Sequence, residues 1–379
     1  MIENIVNNPH IVKLVHNFFH KKLFSSIPTS SPLVIITDDC VKDKVIPPIT
    51  DFLKSIGYEV NILSFPPGEQ NKTWETFISL QNQLVEMNIS PGATMIGIGG
   101  GIVLDMAGFL ASTYCRGMRL FLVPTTITAM IDSSIGGKNG INFRGLKNRL
   151  GTIYLPKSVW ICPEFLSTLP RHEWHNGIAE AIKHGCIADA YLWEFLENYS
   201  ETLFSSPPVL NEFIKRNCLI KSAIVAQDLK NRGIRKILNF GHSIGHAIET
   251  LSFGYVSHGL SVSVGMVIEM KISLRSGIMK NPQLIDKLSC LLSKFHLPTH
   301  LKDLSSLIPE EFQKNVFCPQ NIIHTLSYDK KNLIKYCPKI VMLEHLGKVA
   351  SFNGTYCIAP KIDLLYQILS EECHVMCNN

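Results

Sequence analysis

The stretch T-M-I-G-I-G-G-G-I-V-L-D-M-A-G-F, Thr94 to Phe109, reads as a buried strand, a glycine turn and the start of a helix. Consecutive glycines at such a junction let backbone amides approach a pyrophosphate, and the positive end of the helix favours an anion. The same residues would also make a tight turn that merely packs helix on sheet. The spacing is not G-x-G-x-x-G, and earlier β/α units precede it, so it departs from the usual dinucleotide fingerprint. The strand before it and the helix after it favour a nucleotide.

Towards the N-terminus, L-V-I-I-T-D-D (Leu33 to Asp39) is an apolar, β-branched run of the kind found in parallel sheets. Tyr58 to Phe65 reads as a second strand, P-P-G-E-Q-N-K-T-W as a turn presenting Glu69 and Lys72, and Thr73 to Met87 as a helix. Residues 1–30 read as mixed helix and loop. Towards the C-terminus, Arg119 to Pro124 is a further strand. The following T-T-I-T-A-M-I-D-S-S-I-G-G-K-N-G-I-N and R-G-L-K-N-R-L-G-T read as one long polar, glycine-rich loop carrying Asp132, Lys138, Lys147 and Asn148. After a strand in Y-L-P-K-S-V-W-I-C-P, Pro170 marks a boundary, and helical stretches dominate the remainder. Alternating β/α units followed by helices predict an α/β N-terminal nucleotide-binding domain, residues 1–170, then an all-α metal-binding domain, residues 171–379.

Composition fits that division. A chain of 379 residues exceeds one compact core, and 46% hydrophobic with 18% charged residues describes a soluble globular protein. No apolar run reaches membrane-spanning length, and the start carries no secretory pattern. Eleven cysteines without a C-x-x-C pair fit reduced thiols in a cytoplasm. A formal charge of +5 without a dense basic stripe points to an anionic small molecule and away from nucleic acid.

The metal candidate lies in R-K-I-L-N-F-G-H-S-I-G-H-A-I-E-T-L-S-F-G-Y-V-S-H-G, Arg235 to Gly259. His242 and His246 fall four apart, on one face if Ser243 to Leu251 is helical, and His258 follows a short loop. Imidazoles converging with one carboxylate suit a catalytic zinc, although this is not H-E-x-x-H. In E-A-I-K-H, Glu180 is either the oxygen ligand or half of a surface ion pair with Lys183, and His184 is a rival ligand. The tail E-E-C-H-V-M-C-N-N holds further Cys and His but reads as a frayed end.

From about Asp38 to about Lys331 the chain resembles the 3-dehydroquinate synthases among the sugar phosphate cyclases. The likeness rests on P-G-E-Q-N-K, G-G-G-I-V-L-D-M-A-G-F, V-P-T-T, D-S-S-I-G-G-K-N-G-I-N, K-N-R-L-G, G-I-A-E-A-I-K-H-G, K-S-A-I-V-A-Q-D, R-K-I-L-N-F-G-H-S-I-G-H-A-I-E and H-G, in order. It implies conversion of 3-deoxy-D-arabino-heptulosonate 7-phosphate to 3-dehydroquinate in the shikimate pathway. The steps implied are transient oxidation of the C5 hydroxyl, phosphate elimination, reduction and intramolecular aldol closure, with NAD and a divalent metal, zinc or cobalt. It implies Glu180, His242 and His258 as metal ligands and His246 as a substrate-side histidine. NAD would meet Asp38, Glu69, Lys72, Gly100, Gly101, Asp105, Thr125, Thr126, Thr168 and Leu169. Substrate would meet Asp132, Lys138, Asn148, Lys183, Lys221, Arg235 and Asn239, with Lys138 and Lys147 also near the cofactor. Arg116 would reach the phosphate from the other subunit of a homodimer, and Lys330 or Lys331 would close over the site.

Departures from the family pattern are Leu104 in place of a glycine, Cys40 in place of an asparagine, Leu229 and Asn231 in place of acids, and Leu260 in place of a glutamate. They bear on cofactor affinity more than on chemistry. The readings set against this one are another sugar phosphate cyclase, a metal-dependent polyol dehydrogenase that releases NADH, and a non-catalytic nucleotide-binding protein. The set of cations argues against a neutral polyol, and the intact Glu180, His242 and His258 argue against lost activity.

Overall fold

A computed structural model of the chain describes residues 2–8, 10–327 and 338–374. Its contacts divide the chain into two compact units, residues 1–174 with 210–230, and residues 175–209 with 231–379.

The first unit is built on strands β1 (Ile2–Val6), β2 (Ile11–Val15), β3 (Leu33–Asp38), β4 (Val60–Phe65), β5 (Thr94–Gly99), β6 (Arg119–Pro124), β7 (Lys138–Phe143), β8 (Leu146–Ile153) and β9 (Ser158–Ile161). Seven of them form one sheet in the order β1-β2-β9-β6-β5-β3-β4. All neighbours are parallel except the β1–β2 pair. Every residue of β5 is buried, as expected of a central strand covered on both faces. Helices α1 (Asp39–Lys44), α2 (Ile46–Ser55), α3 (Trp74–Glu86) and α4 (Gly101–Thr113) supply the crossovers. On one side of the sheet, Phe18, Phe24, Phe121 and Trp160 pack together in the core.

Two expectations are corrected here. Residues 1–30, read as mixed helix and loop, contain the β1–β2 hairpin that extends the sheet edge. The runs are only five residues each, too short to show a period, and pairing to β9 decides them. The long polar loop after β6 is also structured. A π-helical turn over Ala129–Ser133 leads into an antiparallel β7–β8 hairpin. Its glycines suggest a loop in sequence, but Gly140 and Gly151 let the two strands approach so closely that a Cβ at Gly151 would lie 2.0 Å from the Asn139 carbonyl oxygen.

The boundary helices are α5 (Arg171–Ala188), α6 (Ala190–Tyr199) and α7 (Pro207–Gln227); most of α7 packs with the first unit. The second unit continues with α8 (His242–Leu251), α9 (His258–Arg275), α10 (Gln283–Lys294), α11 (Glu310–Val316), α12 (Pro319–Ser327) and α13 (Ile362–His374), plus a small antiparallel pair, β10 (Leu343–His345) and β11 (Lys348–Val349). Ile244, Ile248, Val264, Ile268 and Leu365 lie in its core. Helices α8 and α9 cross at glycines. A Cβ on Gly265 would lie 2.0 Å from the Gly241 carbonyl oxygen, and one on Gly245 would lie 3.0 Å from the Val262 Cα. Any larger residue would push the two helices apart. Among the described residues no helix is long and apolar enough to cross a membrane.

Candidate metal centre and cofactor turn

In the second unit, α5, α8 and α9 each contribute one side chain to a single point. Glu180 Oε1 lies 3.2 Å from His242 Nε2 and 3.0 Å from His258 Nε2. One donor atom from each of Glu180, His242 and His258 falls within 4.8 Å of the others. Glu180 is 1% exposed, an uncommon place for a carboxylate without a partner. Burial would raise its pKa, but the Lys183 ammonium beside it, together with hydrogen bonding from His258, outweighs this and holds it well below the ordinary value. Lys183, also 1% exposed, contacts Glu180 Oε2 through its ammonium.

The imidazoles are aimed from behind. His242 Nδ1 donates to the Phe240 carbonyl at 3.0 Å, so in the neutral imidazole Nε2 carries the lone pair, on the side of Glu180 and His258. Burial pulls the His242 pKa down, which favours the neutral form a metal needs. His258 opens α9, and its Nδ1 lies 3.6 Å from Glu249 Oε2. Burial would lower His258, but its hydrogen bonds to Glu180 and Glu249 push it up to about 10. Two imidazoles and one carboxylate at this spacing fit a divalent metal of the zinc type with an open position.

His246 is exposed one turn beyond His242, and its ring centroid is 5.3 Å from that of His242. It groups with Glu249 and His258, outside the trio with Glu180. His184 is fully buried on α5, outside the cluster of Glu180 with the two histidines. Arg235 is 2% exposed in the 3-10 turn Ile234–Asn239. Asn239, at the end of that turn, donates to the Lys236 carbonyl at 2.9 Å.

In the first unit, Gly100 is the N-cap of α4 and offers no capping side chain, so the first amides of that helix are available to an anion. A Cβ at Gly100 would meet Thr126 Cγ2 at 3.2 Å, and one at Gly101 would meet Ser133 Oγ at 3.0 Å. Thr125 is buried, with its N–H donating to the Gly99 carbonyl at 3.0 Å. Leu104 turns inward and lies against the sheet, 3.6 Å from where a Gly97 Cβ would stand. The bulk that departs from the family pattern is thus spent in the core, not in the glycine turn.

Around the turn, the Lys72 ammonium donates to Asp105 Oδ2 at 2.5 Å and to Asn148 Oδ1 at 2.6 Å. Burial pushes Asp105 up, and Lys72 opposes this. Asn142 ties the pieces together: its Nδ2 donates to Glu69 Oε1 at 2.8 Å, its Oδ1 accepts from the Asn148 N–H at 2.8 Å, and its own N–H donates to the Lys72 carbonyl at 2.8 Å. Asp38 caps α1, accepting from the Val41 N–H at 2.9 Å, and burial raises its pKa. Lys221 on α7 is buried and contacts Asp132. Lys138, Lys147 and Asn148 are exposed on the β7–β8 hairpin. Thr168 donates to the Phe165 carbonyl at 3.1 Å, next to Leu169. Arg116 is exposed with a left-handed φ of 63°, following Cys115 at 49°. Lys330 and Lys331 lie outside the described residues, as does the end of the C-terminal tail beyond His374.

Asn142, Glu249 and Glu269 carry supporting contacts and were given no role from the sequence. Glu269 had one available signal, a carboxylate inside the apolar run G-M-V-I-E-M.

Two family models match, described as 3-dehydroquinate synthase N-terminal over residues 62–176 and 3-dehydroquinate synthase C-terminal over residues 177–332. The chain is 65% identical over 379 residues to the 3-dehydroquinate synthase of Chlamydia caviae, covering 100% of both. It is similar to a solved 2-deoxy-scyllo-inosose synthase complexed with carbaglucose-6-phosphate, NAD+ and Co2+, with a TM-score of 0.86, 26% identity, and 98% and 100% of the two chains covered. A 2-epi-5-epi-valiolone synthase from Streptomyces hygroscopicus, with NAD+ and Zn2+ bound, shares the fold at a TM-score of 0.82 and 20% identity over 99% of each chain.

Proposed function

The chain belongs to the 3-dehydroquinate synthase family, and from that premise we propose how its residues share the work. The reaction is conversion of 3-deoxy-D-arabino-heptulosonate 7-phosphate to 3-dehydroquinate and phosphate, a phosphate-eliminating cyclisation that uses NAD and a divalent metal. When bound, NAD takes up and later returns a hydride, and the metal polarises hydroxyl groups.

In this reading Glu180, His242 and His258 hold the metal, and the observation that carries it is their convergence within 4.8 Å. The amides opening α4 hold the pyrophosphate of NAD at Gly100 and Gly101. Lys72, Asp105 and Glu69, braced by Asn142, shape the nucleoside side, together with Asp38, Thr125, Thr126, Thr168, Leu169 and Lys147. Lys183 balances Glu180 and offers a cation for substrate oxygens. Lys138, Lys221, Arg235, Asn239 and Asn148 complement phosphate, carboxylate and hydroxyls. Asp132 orients the Lys221 ammonium. His246, exposed beside the ligands, exchanges protons with the substrate. The elimination needs little more than this geometry, because a carbonyl beside C6 acidifies its proton; aldol closure is chiefly a matter of holding the ends together.

The homodimer, in which Arg116 reaches a neighbouring subunit's phosphate, belongs to the same proposal, as does a cytoplasmic location. The test is to supply the heptulosonate phosphate with NAD and zinc. Release of inorganic phosphate without net NADH supports the cyclase. NADH accumulating from an unphosphorylated polyol, with no phosphate released, would move the chain to the dehydrogenases.

A further inference from the structure

We propose that Glu269 is a positioning residue for the metal centre, fixing the helix start that carries His242. The inference rests on the metal reading above and deepens it. Glu269 is fully buried in the middle of α9. Its Oε2 accepts from the Gly241 N–H at 2.8 Å, and its Oε1 accepts from Ser243 N–H at 3.2 Å and Ile244 N–H at 3.4 Å.

These are the orphan amides of the α8 start, where Gly241 is the N-cap with φ 75° and supplies no capping side chain. A cap normally comes from the residue before the helix. Here it comes from a neighbouring helix, as a full carboxylate at the positive end of α8. His242 is the first residue of that helix, and its Nδ1 is held by the Phe240 carbonyl just before the cap. Rotation or fraying of the turn 240–244 would therefore move the His242 Nε2 directly. Helix α9 also begins with His258, eleven residues before Glu269, or about 16 Å along the axis at the usual rise. Glu269 thus touches neither metal nor substrate, and acts by locking the helix of one ligand to the helix of another.

Both carboxylate oxygens act as acceptors, which makes glutamine the informative replacement. Glu269→Gln keeps the shape but sets an NH2 group against at least one backbone N–H, donor against donor. The control is Ser273→Ala on the same helix. The Ser273 hydroxyl donates to the Glu269 carbonyl at 2.7 Å and accepts from the Leu343 N–H at 3.1 Å, so its loss loosens α9 without touching the α8 start.

The full-length protein, stripped of metal, is titrated with Co2+ while its visible d–d band is followed, and affinity is set by competition with a chelator. For Glu269→Gln the expected result is a shifted band and about 10- to 100-fold weaker Co2+ binding, the range usual for groups behind metal ligands. NAD affinity should stay within about twofold of wild type, on the same scale. Ser273→Ala should lower the unfolding midpoint and leave band and affinity unchanged. Glu269→Gln with a wild-type band and affinity overturns the proposal, and so does a Ser273→Ala variant that loses as much affinity. A wild-type protein that shows no cobalt band at all overturns the metal reading and this inference with it.

Discussion

The glycine turn of the first unit and the proposed metal trio of the second are built on opposite principles. The turn is made of backbone: Gly100 and the opening amides of α4 are contiguous, and the nearby Leu104 side chain points away into the core. The trio is made of side chains from three helices, brought together by the glycine crossing of α8 and α9 and braced by Glu269, His242 Nδ1 and Glu249. A backbone site tolerates changes in its neighbours. A side-chain site inherits every displacement of the helices that carry it.

The largest test of that contrast is His242→Ala. It should abolish turnover and weaken zinc binding by more than about 100-fold, while NAD affinity measured by fluorescence stays near wild type. Near-normal turnover would sink the assignment of His242. Next in size is Gly265→Ala, whose Cβ would stand 2.0 Å from the Gly241 carbonyl oxygen. Overpacking there should cost about 3 kcal/mol in urea unfolding and also weaken metal binding, because the α8 start must move. A destabilised variant with intact metal affinity would show that the two helices are not the lever.

Leu104→Ala probes the other side of the comparison. Emptying that core position should cost about 2 kcal/mol of stability. NAD affinity should change less than about threefold; a greater loss would mean that Leu104 shapes the turn after all.

The smallest effect concerns thiols. Burial pushes Cys162 in the first unit up to about 12, and pushes Cys186, on α5 with Glu180, up further. The thiolate is the reactive form, so a raised pKa means that almost none is present at pH 8 and that reactivity climbs as pH rises. A thiol reagent at pH 8 should therefore modify the exposed Cys40, Cys115 and Cys290 and spare both buried groups in the native protein. Removing metal with a chelator should speed Cys186 slightly and leave Cys162 unchanged, as read by peptide mass spectrometry. Equal acceleration of both would show that the metal stabilises more than its own unit.

Legibility in the sequence follows the same divide. The β5–α4 turn was readable because strand, glycines and helix are consecutive, and Thr94 to Gly99 emerged as the expected buried strand. The helix expected over Thr73 to Met87 is bounded as its signals suggest, with Thr73 capping through its hydroxyl. Spacing alone could not choose between Glu180 and His184, since both lie on α5 and only packing decides which faces α8. The likeness to the family made that choice, and the geometry groups Glu180 with the two histidines. Contacts between distant residues left no local trace: Asn142 meets Glu69 across 73 positions, and Glu269 meets Gly241 across 28. The β1–β2 and β7–β8 hairpins were missed for a related reason. Their strands are defined by partners, and their own short or glycine-rich runs carry little period.

The most direct measurement is an anomalous difference map at the zinc edge from crystals grown with Zn2+ and NAD. One peak bonded to Glu180, His242 Nε2 and His258 Nε2, at about 2.0–2.2 Å from each, is the expected result. A peak held instead by His246 and Glu249, or none beside Glu180, would contradict the division of labour between the two units.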